Sequence, residues 1–303
     1  MLNGRNATPG VASHQRFASP MPPAGQHATT EGGHARSGIT RIRSRARNAA
    51  VAAALVATCL LAAPAAPRAQ APAGGAIDAD ARGVLDAMSA HLGGLRSFSV
   101  SYTAVDEIVS AEGQKLQFLH AGELLVQRPD RMHALRRGAA GTAEMVLDGR
   151  ELILFGREAN ATLRLPASSI AAAVEVVHRL GFDAPGADLL AERPLDSATT
   201  DIVSGAHVGM TFIDGVEVHQ LAFRGAEVDW QLWVTAGDRP LPLRYVITTK
   251  TIAGGPQYTL QLRNWNLAPQ FEPGRFVFTP PAGARQLDPS SVTVNAIGDM
   301  AIR

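Results

Sequence analysis

Residues 228–250, VDWQLWVTAGDRPLPLRYVITTK, carry the pattern from which the fold can be read. Side chains of an extended chain alternate between two faces, so Val228, Trp230, Leu232 and Val234 share one side and Asp229, Gln231, Trp233 and Thr235 the other. Gly237, Asp238 and Pro240 interrupt the run with residue types that reverse a chain. Leu243, Tyr245, Ile247 and Thr249 then alternate with Arg244, Val246, Thr248 and Lys250, again with one more apolar side. Such a hairpin belongs to an antiparallel sheet packed on one face and wet on the other.

Working outward, extended runs are expected at 98–109, 116–128, 131–137, 142–147, 151–155 and 161–165, and again at 203–213, 216–223 and 259–265, with a last segment at 276–278. The links are short, and Glu112-Gly113, Asp148-Gly149 and Asn160 supply turn chemistry, so consecutive strands should pair as antiparallel neighbours. The Asn160-Ala161-Thr162 triplet reads as a turn rather than a glycosylation site. Two segments break the strand pattern. Ile77, Ala81, Val84, Leu85, Met88, Leu92 and Leu95 recur at helical spacing, with Asp78 and Asp80 at the start and Gly93-Gly94 at the end. After Pro166, Ser168 or Ser169 can cap a helix reaching Leu180, and a shorter helical piece follows at 187–191. This order gives an α+β fold with one sheet of about eleven strands; a twisted sheet of that width curls, and the helices are the cover for its concave side.

The first 48 residues are poor in large apolar side chains and read as a disordered or basic leader. Arg36, Arg41, Arg43, Arg45 and Arg47 precede an uncharged apolar run from Ala49 to Ala63, with small residues and prolines after it. That is the order of an export signal over residues 49–72, cleaved between Ala65 and Ala73. The apolar run is shorter than the roughly twenty residues of a membrane span, and an uncleaved anchor is the alternative. Cys59 is the single cysteine and lies inside this run; as a lipidation site it is a poor fit, with Thr58 before it and more apolar residues after it. Residues 73–288 then form one domain in the periplasm, and 289–303 a loose tail. The first 70 residues hold 8 of the 28 basic and 1 of the 27 acidic side chains, which leaves a net charge of about −6 on the rest and no footprint for nucleic acid.

Little in this domain points to catalysis. The six histidines after residue 70 (His91, His120, His133, His178, His207 and His219) show no metal-binding spacing, although His207 and His219 can meet across the turn at Asp214-Gly215. There is no nucleophile elbow and no phosphate-cradling glycine loop. Asp106 and Glu107 point to opposite faces, and Glu227 and Asp229 are solvated charges at a strand entrance. No enzyme activity, no cofactor and no metal are expected. A hydrophobic small molecule or acyl chain in the concave face is, with lining from Leu124, Val126, Val146, Leu152, Leu154, Trp230 and Leu232; packing of the same residues against the helices as a closed core is the competing reading.

The Trp-rich strand, the Gly-Asp turn and the LPLR segment leading into YVITTK resemble the bacterial periplasmic family known as domain of unknown function 2092. Residues 121–130 (AGELLVQRPD) and 145–155 (MVLDGRELILF) are similar to the outer-membrane lipoprotein carrier family, with its Gly-x-Leu-x-Val-x-Arg-Pro strand and Asp-Gly hairpin. Together the likenesses span roughly residues 77–288. The second implies a half-barrel with a helical lid. It also implies a role for Arg128: in that family the Arg before the Pro holds the lid closed through hydrogen bonds to backbone groups and lets go when an acyl chain enters. Arg131 departs from the carrier pattern, where a nonpolar residue stands. The functional expectation is a monomeric, non-catalytic periplasmic carrier for a lipid or acylated protein segment. A sensory module of the same fold that binds an envelope membrane protein is the first alternative, and a metal-dependent hydrolase built on His207 and His219 the second.

Overall fold

The computed structural model describes residues 77–181, 184–294 and 300–302. The leader, the apolar run with Cys59 and the cleavage region fall on residues 1–76 and lie outside the described residues. Among those described, no helix is long and apolar enough to cross a membrane.

The chain opens with a helix, α1 (Ala79–Gly94). Six strands follow: β1 (Ser97–Val109), β2 (Lys115–Gln127), β3 (Arg131–Gly138), β4 (Gly141–Asp148), β5 (Glu151–Gly156) and β6 (Ala161–Pro166). After helix α2 (Ile170–Arg179) and short 3-10 turns at Ala187–Leu190 and Ser197–Thr199 come β7 (Ile202–Ile213), β8 (Val216–Gly225), β9 (Val228–Thr235), β10 (Pro242–Thr249) and β11 (Gln257–Asn266). These strands and β12 (Arg285–Gln286) form one curled, unclosed sheet in the order β12-β6-β5-β4-β3-β2-β1-β11-β10-β9-β8-β7. All pairs are antiparallel except β12 with β6.

The sheet therefore has twelve strands where eleven were expected, because the end of the chain behaves differently from its reading. Phe276–Phe278 is not a strand. From β11, in the middle of the sheet, the chain crosses one face to reach the far edge, as a parallel partner for β6 requires a crossover. On the way Arg275 lies 3.9 Å from Glu123, Phe278 packs on Phe155 at 5.3 Å between ring centroids, and Asn160 Nδ2 donates to the Ala282 carbonyl at 3.3 Å. Asn160 has a left-handed backbone, φ 43°, as the turn reading requires. This crossing segment, residues 267–284, is a strap over the convex face. The 289–303 stretch, expected as a loose tail, contains a two-stranded pairing of β13 (Val292–Val294) with β14 (Met300–Ile302).

Both helices lie on the other face. Leu85, Met88 and Leu92 of α1 and Ile170, Ala173 and Val177 of α2 share one core with Val126, Leu152, Trp230 and Leu232 of the sheet. The Ser169 side chain caps α2 by accepting from the Ala172 N–H at 3.1 Å. Asp78 does more for α1. One carboxylate oxygen accepts from the Ala81 N–H at 2.6 Å, and the other from the His207 N–H of edge strand β7 at 2.9 Å. The Asp78 N–H in turn donates to the Gly205 carbonyl at 2.9 Å. A helix cap and a sheet-edge clamp thus meet in one residue.

Asp78→Ala should lower stability by about 1–2 kcal/mol, the upper part of the range for losing a cap, since a second N–H also loses its acceptor. An unchanged urea midpoint would show that the clamp contributes nothing.

Candidate functional site

Strand register decides which residues can line the concave face. Val100 pairs with Leu124, Leu124 with Ala134, Ala134 with Met145, and Met145 with Leu154, so all five point the same way. Val126, Met132, Leu147 and Leu152 form the next inward row. Under this register β1 and β11 contribute Phe98, Tyr102, Asp106, Tyr258, Leu260 and Leu262 to the same face.

The two halves of this face differ. Over β7 to β10 it is filled. Trp230 stacks on Phe223 at 3.9 Å between centroids and meets Tyr245 edge-on at 5.8 Å, and all three are buried together with Leu221 and Leu232 beneath α1. Over β1 to β5 and β11 it is hollow. A cavity of about 490 Å³ lies between the sheet and the segment 184–190, lined by Phe98, Val100, Leu124, Leu154, Leu260 and Leu262 among others. Val177 of α2 and Leu189 and Leu190 of the 3-10 turn form its roof.

Of the residues expected to line a ligand site, Leu124 and Leu154 border the cavity. Val126, Leu152, Trp230 and Leu232 face the same way but are packed into the core with no open space beside them. Val146 is on the wrong face. It pairs with His133 and Ile153, whose side chains point away from the helices, and it is buried on the convex side. The strand from Met145 to Leu147 is apolar on both faces, so alternation alone gave no basis for choosing between them.

Arg128 directly follows β2, below the roof. Its Nη1 donates to the Leu190 carbonyl at 2.5 Å, while Nε and Nη2 are buried without a hydrogen-bond partner among the described residues. Burial lowers its pKa, opposed by the nearby Glu192 carboxylate. Arg128 therefore turns inward rather than out to water. Just beyond the roof, Ser89 Oγ of α1 donates to the Pro194 carbonyl at 3.0 Å. Asp188, within the 3-10 turn, has its carboxyl pushed above the usual range by burial.

One end of the hollow is polar, a feature the sequence reading missed. His120 Nδ1 is 3.2 Å from Asp106 Oδ2, and Tyr102, Tyr258 and Arg136 line the same wall. The Tyr102 hydroxyl donates to the Leu135 carbonyl at 3.2 Å and lies across Gly122, which stands between Tyr102 and Arg136 in the sheet. A Cβ at Gly122 would come 1.7 Å from the Leu135 oxygen and 2.7 Å from the Tyr102 hydroxyl, so only glycine admits this ring. The available signal was the alternation Phe98, Val100, Tyr102, Ala104, Asp106, which puts two polar residues on an otherwise apolar face.

His207 and His219 do meet, with Nε2 and Nδ1 3.0 Å apart. The His219 pKa is lowered by burial and then by His207. Among the described residues no group of three or more His, Cys, Asp or Glu is placed to hold a metal ion. Asp106 and Glu107 point to opposite faces as expected, Glu107 outward onto Lys115, Gln117 and the Gln257 N–H.

Residues 81–288 match the family model described as predicted periplasmic protein, domain of unknown function 2092, and the chain belongs to this periplasmic family. No curated protein sequence matches it. Among solved structures it is similar to LprF from Mycobacterium bovis, with 16% identity over 68% of this chain and 100% of that one at a TM-score of 0.45. It is also similar to the lipoprotein LppX of Mycobacterium tuberculosis, with 12% identity over 64% and 100% of the two chains and a TM-score of 0.43. A LolA superfamily protein, NE2245 from Nitrosomonas europaea, has 15% identity over 65% and 97% and a TM-score of 0.35.

The chain has three tyrosines, and burial raises the pKa of each: Tyr102 to about 12, Tyr245 and Tyr258 further. Because the unfolded phenol ionises near 10, the tyrosines' contribution to stability should be flat below that pH and fall as the pH climbs toward 12, by up to about 1.4 kcal/mol per pH unit for each group. Ultraviolet titration should show no tyrosinate in the folded protein at pH 10.5. A normal titration with a midpoint near 10 would contradict the burial.

Proposed function

We propose that this protein is a non-catalytic periplasmic carrier that holds a hydrophobic ligand, a lipid or the acyl chain of a modified protein, in the hollow between β1 to β5, β11 and the segment 184–190. The observation that carries the reading is the apolar cavity of about 490 Å³ under a roof that a single arginine ties to the sheet. Its size falls within the usual range for ligand pockets, and apolar contact gives affinity without exact polar geometry. Arg128 is the latch. A guanidinium has five N–H donors, and here one is bonded to the roof while Nε and Nη2 are buried unpaired, which costs about 1–3 kcal/mol per group and leaves the closed state only modestly favoured. A chain entering beneath the roof displaces Leu190, breaks one hydrogen bond and lets the cation reach water.

A second reading, a module that binds an envelope protein, is favoured by one feature. Strand β7 is a sheet edge carrying exposed Val203, Met210 and Phe212. Edges of this kind accept a partner strand.

Protein purified from its own periplasm should yield a recurrent lipid on organic extraction and mass spectrometry, and once stripped should take up the neutral dye N-phenylnaphthylamine. Protein that is always empty and takes up no dye would overturn the carrier reading. Arg128→Leu should speed dye uptake and release several-fold while shifting stability by less than about 1 kcal/mol, since a buried, poorly paired charge leaves along with its bond. Unchanged exchange kinetics would make Arg128 a structural ion only.

A further inference from the structure

The hollow runs along β1 from Phe98 to Asp106, about 26 Å at the usual rise of a strand. Its Phe98 end is apolar, with Val100 and Leu124 beside it, and Leu262 follows in the row of Tyr102. Its other end holds Asp106, His120 and Tyr258, with Tyr102 between the two regions. The polar end is not a satisfied network. The His120 side chain is 9% exposed, and its Nδ1, although 3.2 Å from Asp106, is out of hydrogen-bond alignment and has no bonded partner. The Tyr258 hydroxyl makes no hydrogen bond to a described residue. Buried polar groups are nearly always paired, so unpaired ones that line a cavity mark a place for a ligand's own polar atoms.

We propose that this end is a head-group subsite, and that the ligand is a single-headed amphiphile whose head is uncharged or cationic and carries at least one N–H or O–H donor, such as an acylglycerol or a long-chain amine, rather than a free fatty acid. The inference rests on the carrier reading and narrows its ligand class. Position decides the head. Asp106 is the carboxylate that faces the interior at this end, beside His120 and Tyr258, with Arg136 further back in the row of Tyr102. Glu144 points to the convex face, where it meets His133, and Glu158 stands exposed in the turn before β6. In a low-dielectric hollow a carboxylate head set against Asp106 is repelled far more than it would be in water. Hydrogen bonding points the same way. An ionised Asp106 only accepts, so it pairs with a donor and not with another carboxylate. The neutral phenol of Tyr258 can both donate to and accept from a hydroxyl or amine head, whereas Tyr102, whose O–H is given to the Leu135 carbonyl, can only accept.

The test is displacement of N-phenylnaphthylamine from the periplasm-purified protein by three ligands with the same sixteen-carbon chain: the monoacylglycerol, the primary alkylamine and the free fatty acid, each below its micelle threshold. The monoacylglycerol and the amine should displace the dye at concentrations at least about tenfold lower than the fatty acid, the discrimination that one well-made polar contact supplies. Asp106→Asn should cut the amine's advantage at least about fivefold without changing dye affinity, and Tyr258→Phe should weaken the monoacylglycerol selectively. Equal displacement by the three, a preference for the fatty acid, or ratios unmoved by both substitutions would overturn the subsite while leaving the carrier reading intact. Failure of dye and all three ligands to bind would instead sink the carrier reading, and the subsite with it.

Discussion

A twisted sheet of twelve strands offers more inner surface than the chain has helix to cover. Eleven spacings of about 4.8 Å make a curved face of about 53 Å, whereas α1 with 16 residues is about 24 Å long and α2 with 10 about 15 Å. The shortage is unevenly shared. The long helix and the large aromatic side chains Trp230, Phe223 and Tyr245 close one half, and the other half is left to α2 and a 3-10 turn that does not reach the sheet floor. The cavity follows from this arithmetic of cover. On the convex side the shortage is met by unstructured chain, the 267–284 strap, which lets β4 and β5 be apolar on both faces.

Packing that is dense on one side and sparse on the other makes the two sides of the molecule unequal in stability. Beneath α1 the contacts are close and aromatic, and local opening there requires breaking the core. Among the described residues, the roof over the hollow and the chain just after it are held by Val177, Leu189 and Leu190 and by side-chain hydrogen bonds from Arg128 and Ser89. Segments with few buried contacts are the ones that open at low free energy. Fold and function are linked here, since the weakly covered part of the concave face is also the part with room for a ligand.

Much of this was legible in residue order. Nearly every strand and both helices stand within a few residues of where alternation, helical spacing and turn chemistry put them, and Asp78 and Ser169 cap their helices as their residue types suggest. What alternation cannot give is the relation between faces of successive strands. Val146 shows this: both Met145 and Val146 are apolar, and only pairing with Leu154 and Ile153 separates inner from outer. Nor could a list of inward residues show which side chains meet a helix and which meet space, so Trp230 and Leu232 read as lining when they are core. The strap was mistaken for a strand because Phe276 and Phe278 are spaced as one, and the polar end was missed because Asp106 and His120 were weighed singly rather than as neighbours across β1 and β2.

Native-state hydrogen exchange reads this unevenness most directly. Amides of the roof, such as those of Leu189, Ala191 and Leu195, should exchange by local opening at a free energy several kcal/mol below that of amides in β9 and β10 beneath α1. They should also gain protection when the hollow is occupied. Equal protection in both halves, unchanged by ligand, would mean that the concave face is one closed core and that the hollow has no working lid.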